Sequence, residues 1–266
     1  MSGAPARGSV ELAHGRLAFA QAGDGPAVVL LHQTPRSCDE YRDVLPLLGT
    51  AGRRAIAFDT PGFGDSVALP DGPSIEGWAA AVLGGLDALG IERAAIAGHH
   101  TGGVVAVALA AQAPKRVSAL VLSATPLTDA AHRAEPPDES GVDDADDADG
   151  LRRSRAGFYP ADRPDLLDRY VADALRAGSL RLGGHRAVGA YEMDDAIARL
   201  RMPTLLIGAT EDPYAYPELA RMRAALPHAE VAEIVGGMVP LPDGWPAEFA
   251  AAIIGFLDRA APCLGG

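Results

Sequence analysis

The chain has 266 residues, is 48% apolar and carries a net charge of −12. It is long enough for one large core that buries roughly three quarters of its unfolded surface. It is also acidic enough to argue against nucleic acid and anionic membrane surfaces as partners. No apolar run approaches the ~20 residues of a membrane span, and the amino terminus lacks the apolar block of a secretory signal. Cys38 and Cys263 lie far apart without metal-ligand spacing, which suits a reduced, cytoplasmic setting with no bound metal.

Along the chain, Val10 to Ala13 and Arg16 to Ala20 read as strands joined at His14-Gly15. Ala27 to Leu31 is an unbroken apolar run, the pattern of a strand buried on both faces. Asp39 to Leu48 has helical spacing, with Tyr41, Val44, Leu45 and Leu48 on one side. A strand over Arg53 to Phe58 precedes the glycine-rich loop Asp59 to Ser66, and Ser74 caps a helix that Gly90 closes. Strands over Ala94 to Ala97, Ala119 to Ser123, Thr204 to Gly208 and Glu230 to Val235 alternate with helices after Thr101, Leu219 and Pro246. That alternation predicts an α/β fold with a mostly parallel, doubly wound sheet, whose ligands bind at the carboxyl ends of the strands. The segment 127–201 breaks the pattern. It opens on an Asp- and Pro-rich stretch over 135–149, read as a solvated loop or as a gate over the site, and continues as four short helices. The expected organisation is therefore a core of 1–126 and 202–266 with 127–201 inserted as a small helical cap.

The stretch Gly98-His99-His100-Thr101-Gly102 follows a strand and opens a helix, with small residues where a sharp turn brings backbones together. Here the chain resembles the α/β-hydrolase family, whose nucleophile elbow is G-x-S-x-G. Four further fragments carry the resemblance in the same order: His32-Gln33-Thr34-Pro35, Asp59 to Ser66, Asp212-Pro213 and Gly236-Gly237-Met238. It implies the α/β-hydrolase fold, an enzyme acting on a small-molecule substrate, and no cofactor. The chain departs from the family's pattern where His100 stands at the nucleophile position and Met238 at the position of the general-base histidine. Gln33 replaces a glycine of the early loop. A thioether cannot relay a proton, so the Ser-His-Asp scheme cannot run at these positions.

What the resemblance leaves is an oxyanion hole made by the N–H groups of Thr34 and Thr101, and Asp212 as the retained acid. An imidazole at the apex suits proton transfer at neutral pH, so His100 is read as acid or base, or else as nucleophile. Asp212 orients it or caps its own loop. His32, Gln33, Arg36, Tyr41, Thr125, Tyr191, Tyr214 and Met238 are the candidates for substrate contact. For His32 the competing reading is a brace of the early loop; for Arg36 and Tyr41 it is a surface position; for the remaining aromatic residues it is packing. His99 is expected to point into the sheet and His185 into solvent. The reaction expected is hydrolysis of an ester, lactone or β-dicarbonyl. The alternatives are a lyase or cyclase of secondary metabolism, and a ligand-binding protein without turnover. A homodimer is left open.

Overall fold

The structure, a computed structural model, describes residues 4–134, 145 and 147–260. Most of the acidic stretch, 135–144 and 146, lies outside the described residues, as does Cys263.

The amino-terminal hairpin pairs β1 (Ala6–Leu12) with β2 (Gly15–Ala22). It is longer than its apolar pattern suggests, because backbone pairing with β2 runs on past the apolar residues to Ala6. Next come β3 (Ala27–Leu31), α1 (Val44–Thr50), β4 (Arg54–Phe58), α2 (Ile75–Ala88), β5 (Ala94–His99), α3 (Thr101–Gln112) and β6 (Val117–Ser123). The single helix expected over 39–48 is instead a 3-10 turn, Cys38–Tyr41, followed by α1. Pro46 explains the break: in a helix begun at Asp39 it would lose an interior hydrogen bond, whereas in the first turn of α1 its missing N–H costs nothing. The insert contributes α4 (Ala130–Ala134), α5 (Ala148–Arg155), α6 (Pro164–Ala177), α7 (Leu180–Ala190) and α8 (Asp194–Ile197). The chain then returns to β7 (Thr204–Ala209), α9 (Leu219–Ala225), β8 (Glu230–Ile234), α10 (Leu241–Gly244) and α11 (Pro246–Ala260).

Among the described residues the strands form one eight-stranded sheet in the order β1-β2-β4-β3-β5-β6-β7-β8. It is parallel from β4 to β8, and β1 and β2 run antiparallel to their neighbours. Alternation along each strand divides the core. Val29, Leu31, Ile56 and Phe58 face α2 and α3, while Val28, Leu30, Ala55 and Ala57 face α1 and α11. Covering both faces is what makes the central strands read as continuous apolar runs. The insert has its own small apolar cluster around Leu151, Leu166 and Val171. Its last part does not belong to that cluster: Tyr191, Met193, Ile197 and Leu200 pack into the main core.

The turn from β5 into α3 is held by two close approaches. A Cβ on Gly98 would lie 2.1 Å from the Gly102 carbonyl oxygen, and one on Gly102 would lie 1.9 Å from that of Leu31. No rotamer change relieves a clash with backbone. His100 at the apex has φ 45° and ψ −114°, a strained conformation for a residue with a side chain. Gly102→Ala is expected to cost at least about 3 kcal/mol in urea denaturation. Gly157→Ala, where a Cβ meets nothing within 4 Å, is expected to stay within about 0.5 kcal/mol of the parent. Similar midpoints for the two variants would contradict this account of the turn.

Candidate active site

His100 sits just past β5, and its ring faces a cavity of about 310 Å³ between the strand ends and the insert. Its Nε2 lies 3.0 Å from Oδ2 of Asp212, which follows β7. The Asp212 carboxylate is buried and also accepts the N–H groups of Tyr214 and Ala215 on Oδ1 at 2.9 and 3.0 Å. Burial alone would push this carboxyl up. The charge and hydrogen bond of His100, with the two backbone donors, outweigh it and hold the group at about 2. Asp212 is therefore ionised and can only accept, so His100 Nε2 carries the proton of their hydrogen bond. Nδ1 is the ring nitrogen left over from that contact. The arrangement is an Asp–His dyad, with the imidazole on the elbow itself.

His99 points the opposite way. It is fully buried, with Nε2 donating to the carbonyl of Val239 at 2.7 Å, so its Nδ1, 3.0 Å away, accepts from the hydroxyl of Ser123. Burial, and next the charge of His100, push His99 down to about 3. Its ring stands edge-on to His100, centroids 4.7 Å apart. A neutral His99 thus ties the loop after β8 to the elbow, a role that the sequence position of Met238 gives no hint of.

The early loop is built by buried polar contacts. Gln33 donates its N–H and its side-chain amide to the two carboxylate oxygens of Glu40, at 3.0 and 2.8 Å. Burial pushes Glu40 up to about 8, against the pull of Arg36. His32 accepts the Thr60 N–H on Nε2 at 2.9 Å and donates from Nδ1 to the Gln33 carbonyl at 2.9 Å, which makes it a brace. Arg36 is fully buried; its Nη1 pairs with Asp243 of α10 and its Nε donates to Asp173 of α6 at 2.9 Å. One guanidinium therefore joins the early loop, the insert and α10. Burial raises Asp243 to about 6 in spite of this partner.

Of the residues expected at the site, Gln33, Thr34, His100 and Tyr214 line the cavity, and Asp212 backs His100. Several others are elsewhere. Tyr41 is buried in the core and its hydroxyl donates to the Leu31 carbonyl at 2.8 Å. Thr125 donates to the Ser123 carbonyl at 3.2 Å, and Tyr191 packs in the main core. His32 and Arg36 are engaged as described, and at the β8 end the lining residues are Val239 and Pro240 and not Met238. The expected oxyanion hole is changed too. Thr34 N–H already donates to the hydroxyl of Thr101 at 3.3 Å, so a side chain from the helix start occupies one of its two donors.

The insert supplies lining that sequence spacing does not reveal: Arg155, Phe158, Tyr159, Tyr170 and His185. Arg155 lies over the rings of Phe158 and Tyr170, at 5.7 and 5.2 Å. His185, expected in solvent, is on the cavity wall, where burial and the charges of Arg155 and His100 lower it to about 4. Among the described residues no His, Cys, Asp or Glu group is arranged to hold a metal, and no helix is long and apolar enough to cross a membrane.

Comparison with known proteins agrees with this architecture. Residues 26–190 match the family model described as the alpha/beta hydrolase fold. The chain belongs to that family. It is 39% identical over 115 residues to a putative non-heme haloperoxidase of Mycobacterium phage D29, covering 43% of this chain and 41% of that one. It is 35% identical over 127 residues to the 2-hydroxy-6-oxo-6-phenylhexa-2,4-dienoate hydrolase of Comamonas testosteroni, covering 46% and 44%. An alignment of 266 positions reaches 92% of the chain, at 33% identity, but only 12% of the polyketide synthase ThaQ of Burkholderia thailandensis. The chain thus spans less than half the length of each of these relatives. A hydrolase structure from Pseudomonas aeruginosa superposes with a TM-score of 0.78 at 25% identity, over 94% of this chain and 98% of that one.

Because His99 is held neutral, the unfolded chain binds a proton between about pH 6.5 and pH 3 that the folded chain does not. Its contribution lowers stability as pH falls through that window, by about 1.4 kcal/mol per pH unit. His99→Gln, which keeps a donor for Val239, is expected to flatten the slope of unfolding free energy between pH 6 and 4 by about one proton. An unchanged slope would contradict a neutral His99.

Proposed function

We propose that this chain is a hydrolase acting on a small carbonyl-containing metabolite (an ester, lactone or β-dicarbonyl), with His100 as general base and Asp212 as the group that orients it. The observation that carries this reading is the 3.0 Å bond from His100 Nε2 to a buried, ionised Asp212 in a ring that faces a cavity. It leaves Nδ1 as the proton acceptor. The family's relatives include hydrolases of small molecules, which supports the reaction class.

In the proposed hydrolysis Nδ1 removes a proton from water as the water oxygen bonds to the carbonyl carbon. The carbonyl becomes a tetrahedral oxyanion, which re-forms the C=O and expels the leaving group. His100 returns its proton to that group. The remaining backbone donor at the start of α3 is the Thr101 N–H, where the helix dipole also favours negative charge. No acyl-enzyme is needed, so an inert Met238 is compatible with turnover.

A second reading is a lyase or cyclase, in which Nδ1 takes a proton from the substrate's own carbon or hydroxyl. The specific observation in its favour is the Thr101 hydroxyl on the Thr34 N–H, since such chemistry relies less on a two-donor oxyanion hole. Similarity to a stretch of a polyketide synthase is in keeping with that setting.

His100→Ala is expected to lower kcat/KM on activated esters or β-dicarbonyl compounds by about 10²–10⁴-fold, the usual worth of a positioned acid–base group. Asp212→Asn is expected to fall within the same range, with KM little changed, because it alters the orientation and tautomer of the ring rather than the cavity. Equal rates in the parent and both variants would overturn the assignment.

A further inference from the structure

We propose that the substrate presents a planar aromatic or conjugated ring to Phe158 and Tyr214, beside the carbonyl on which His100 acts. This rests on the reading of the cavity as the substrate site and goes further by naming the class of compound. Among the described residues, four of the fifteen that line the cavity are Phe or Tyr, in a chain that is 5% aromatic.

Packing accounts for two of the four. Tyr159 and Tyr170 are buried in the insert's own apolar cluster, at a centroid distance of 6.1 Å. Phe158 also packs against the edge of that cluster, but it and Tyr214 keep part of their surface toward the cavity. Phe158 and Tyr214 are only half-buried, yet they meet at 5.8 Å with their planes tilted by 48°. One comes from the insert and the other from the loop that carries Asp212, whose Oδ1 accepts the Tyr214 N–H. The pair therefore lines the cavity where the insert meets the loop that carries Asp212. Arg155 over the Phe158 ring at 5.7 Å fixes the orientation of that side chain. A third ring entering at the 4.5–7 Å spacing usual for aromatic pairs would complete the cluster. The cavity's 310 Å³ corresponds to about ten waters at about 30 Å³ each. That suits a ring with a short carbonyl-bearing chain.

The test uses two unreactive neutral probes of equal carbon count, phenylacetamide and cyclohexylacetamide, titrated by calorimetry or NMR against the whole chain. Phenylacetamide is expected to bind about tenfold tighter, from stacking beyond buried area. Phe158→Leu and Tyr214→Leu, with folding checked by circular dichroism, are each expected to bring the ratio to about threefold or less. His100→Ala is expected to leave it unchanged. Equal or tighter binding of the cyclohexyl probe, persistence of the full ratio in both leucine variants, or no saturable binding of either probe would overturn the proposal. If the ratio holds while His100→Ala turns over esters as the parent does, the reaction assigned above fails and the ring preference stands.

Discussion

The hydrogen bond between His100 and Asp212 is the constraint around which the site is arranged. A hydroxyl at the apex of such an elbow is too short to meet the acid beyond β7 and needs an imidazole between them. Here the imidazole grows from the apex and reaches the acid itself, at 3.0 Å. In the proposed mechanism the loop after β8 has no proton to relay. It stays attached to the elbow through backbone, by the Val239 carbonyl on His99. Two adjacent histidines divide the work: one is locked neutral in the core, the other is exposed to the cavity.

Around this pair the walls are held by buried polar groups rather than by apolar contact alone. Arg36 binds carboxylates from α6 and α10, while Glu40 grips both amide groups of Gln33. Breaking one partner of such a network leaves a buried charge uncompensated, which is costly. That makes the early loop, with Thr34, a rigid edge of the cavity. It also means that the insert is anchored to the early loop where Arg36 meets Asp173.

Much of the architecture was legible in the sequence, because apolar runs of strand length, with glycine or proline within a few residues of their ends, report burial on both faces of a parallel sheet. The apex position of His100 and the retention of Asp212 were legible from the five motif fragments. Side-chain direction was not. Tyr41 and Arg36 follow the early loop closely in sequence, but one turns into the core and the other into ion pairs. The spacing of residues in a 3-10 turn gives no face to read. The insert hid its contributions because Phe158 and His185 lie on short helical pieces whose packing partners are remote in sequence. Even Thr101 was legible only as a backbone donor; that its hydroxyl sits on the Thr34 N–H depends on a rotamer.

The sharpest separation between proton transfer and covalent catalysis comes from the mass of the intact protein during steady turnover of an activated acetyl ester, quenched in acid. If His100 Nδ1 delivers water, the protein mass stays that of the free chain while product accumulates, and turnover slows in deuterium oxide. An acetyl adduct that maps to His100, forms in a burst and decays at the turnover rate would contradict that role and make the ring a nucleophile.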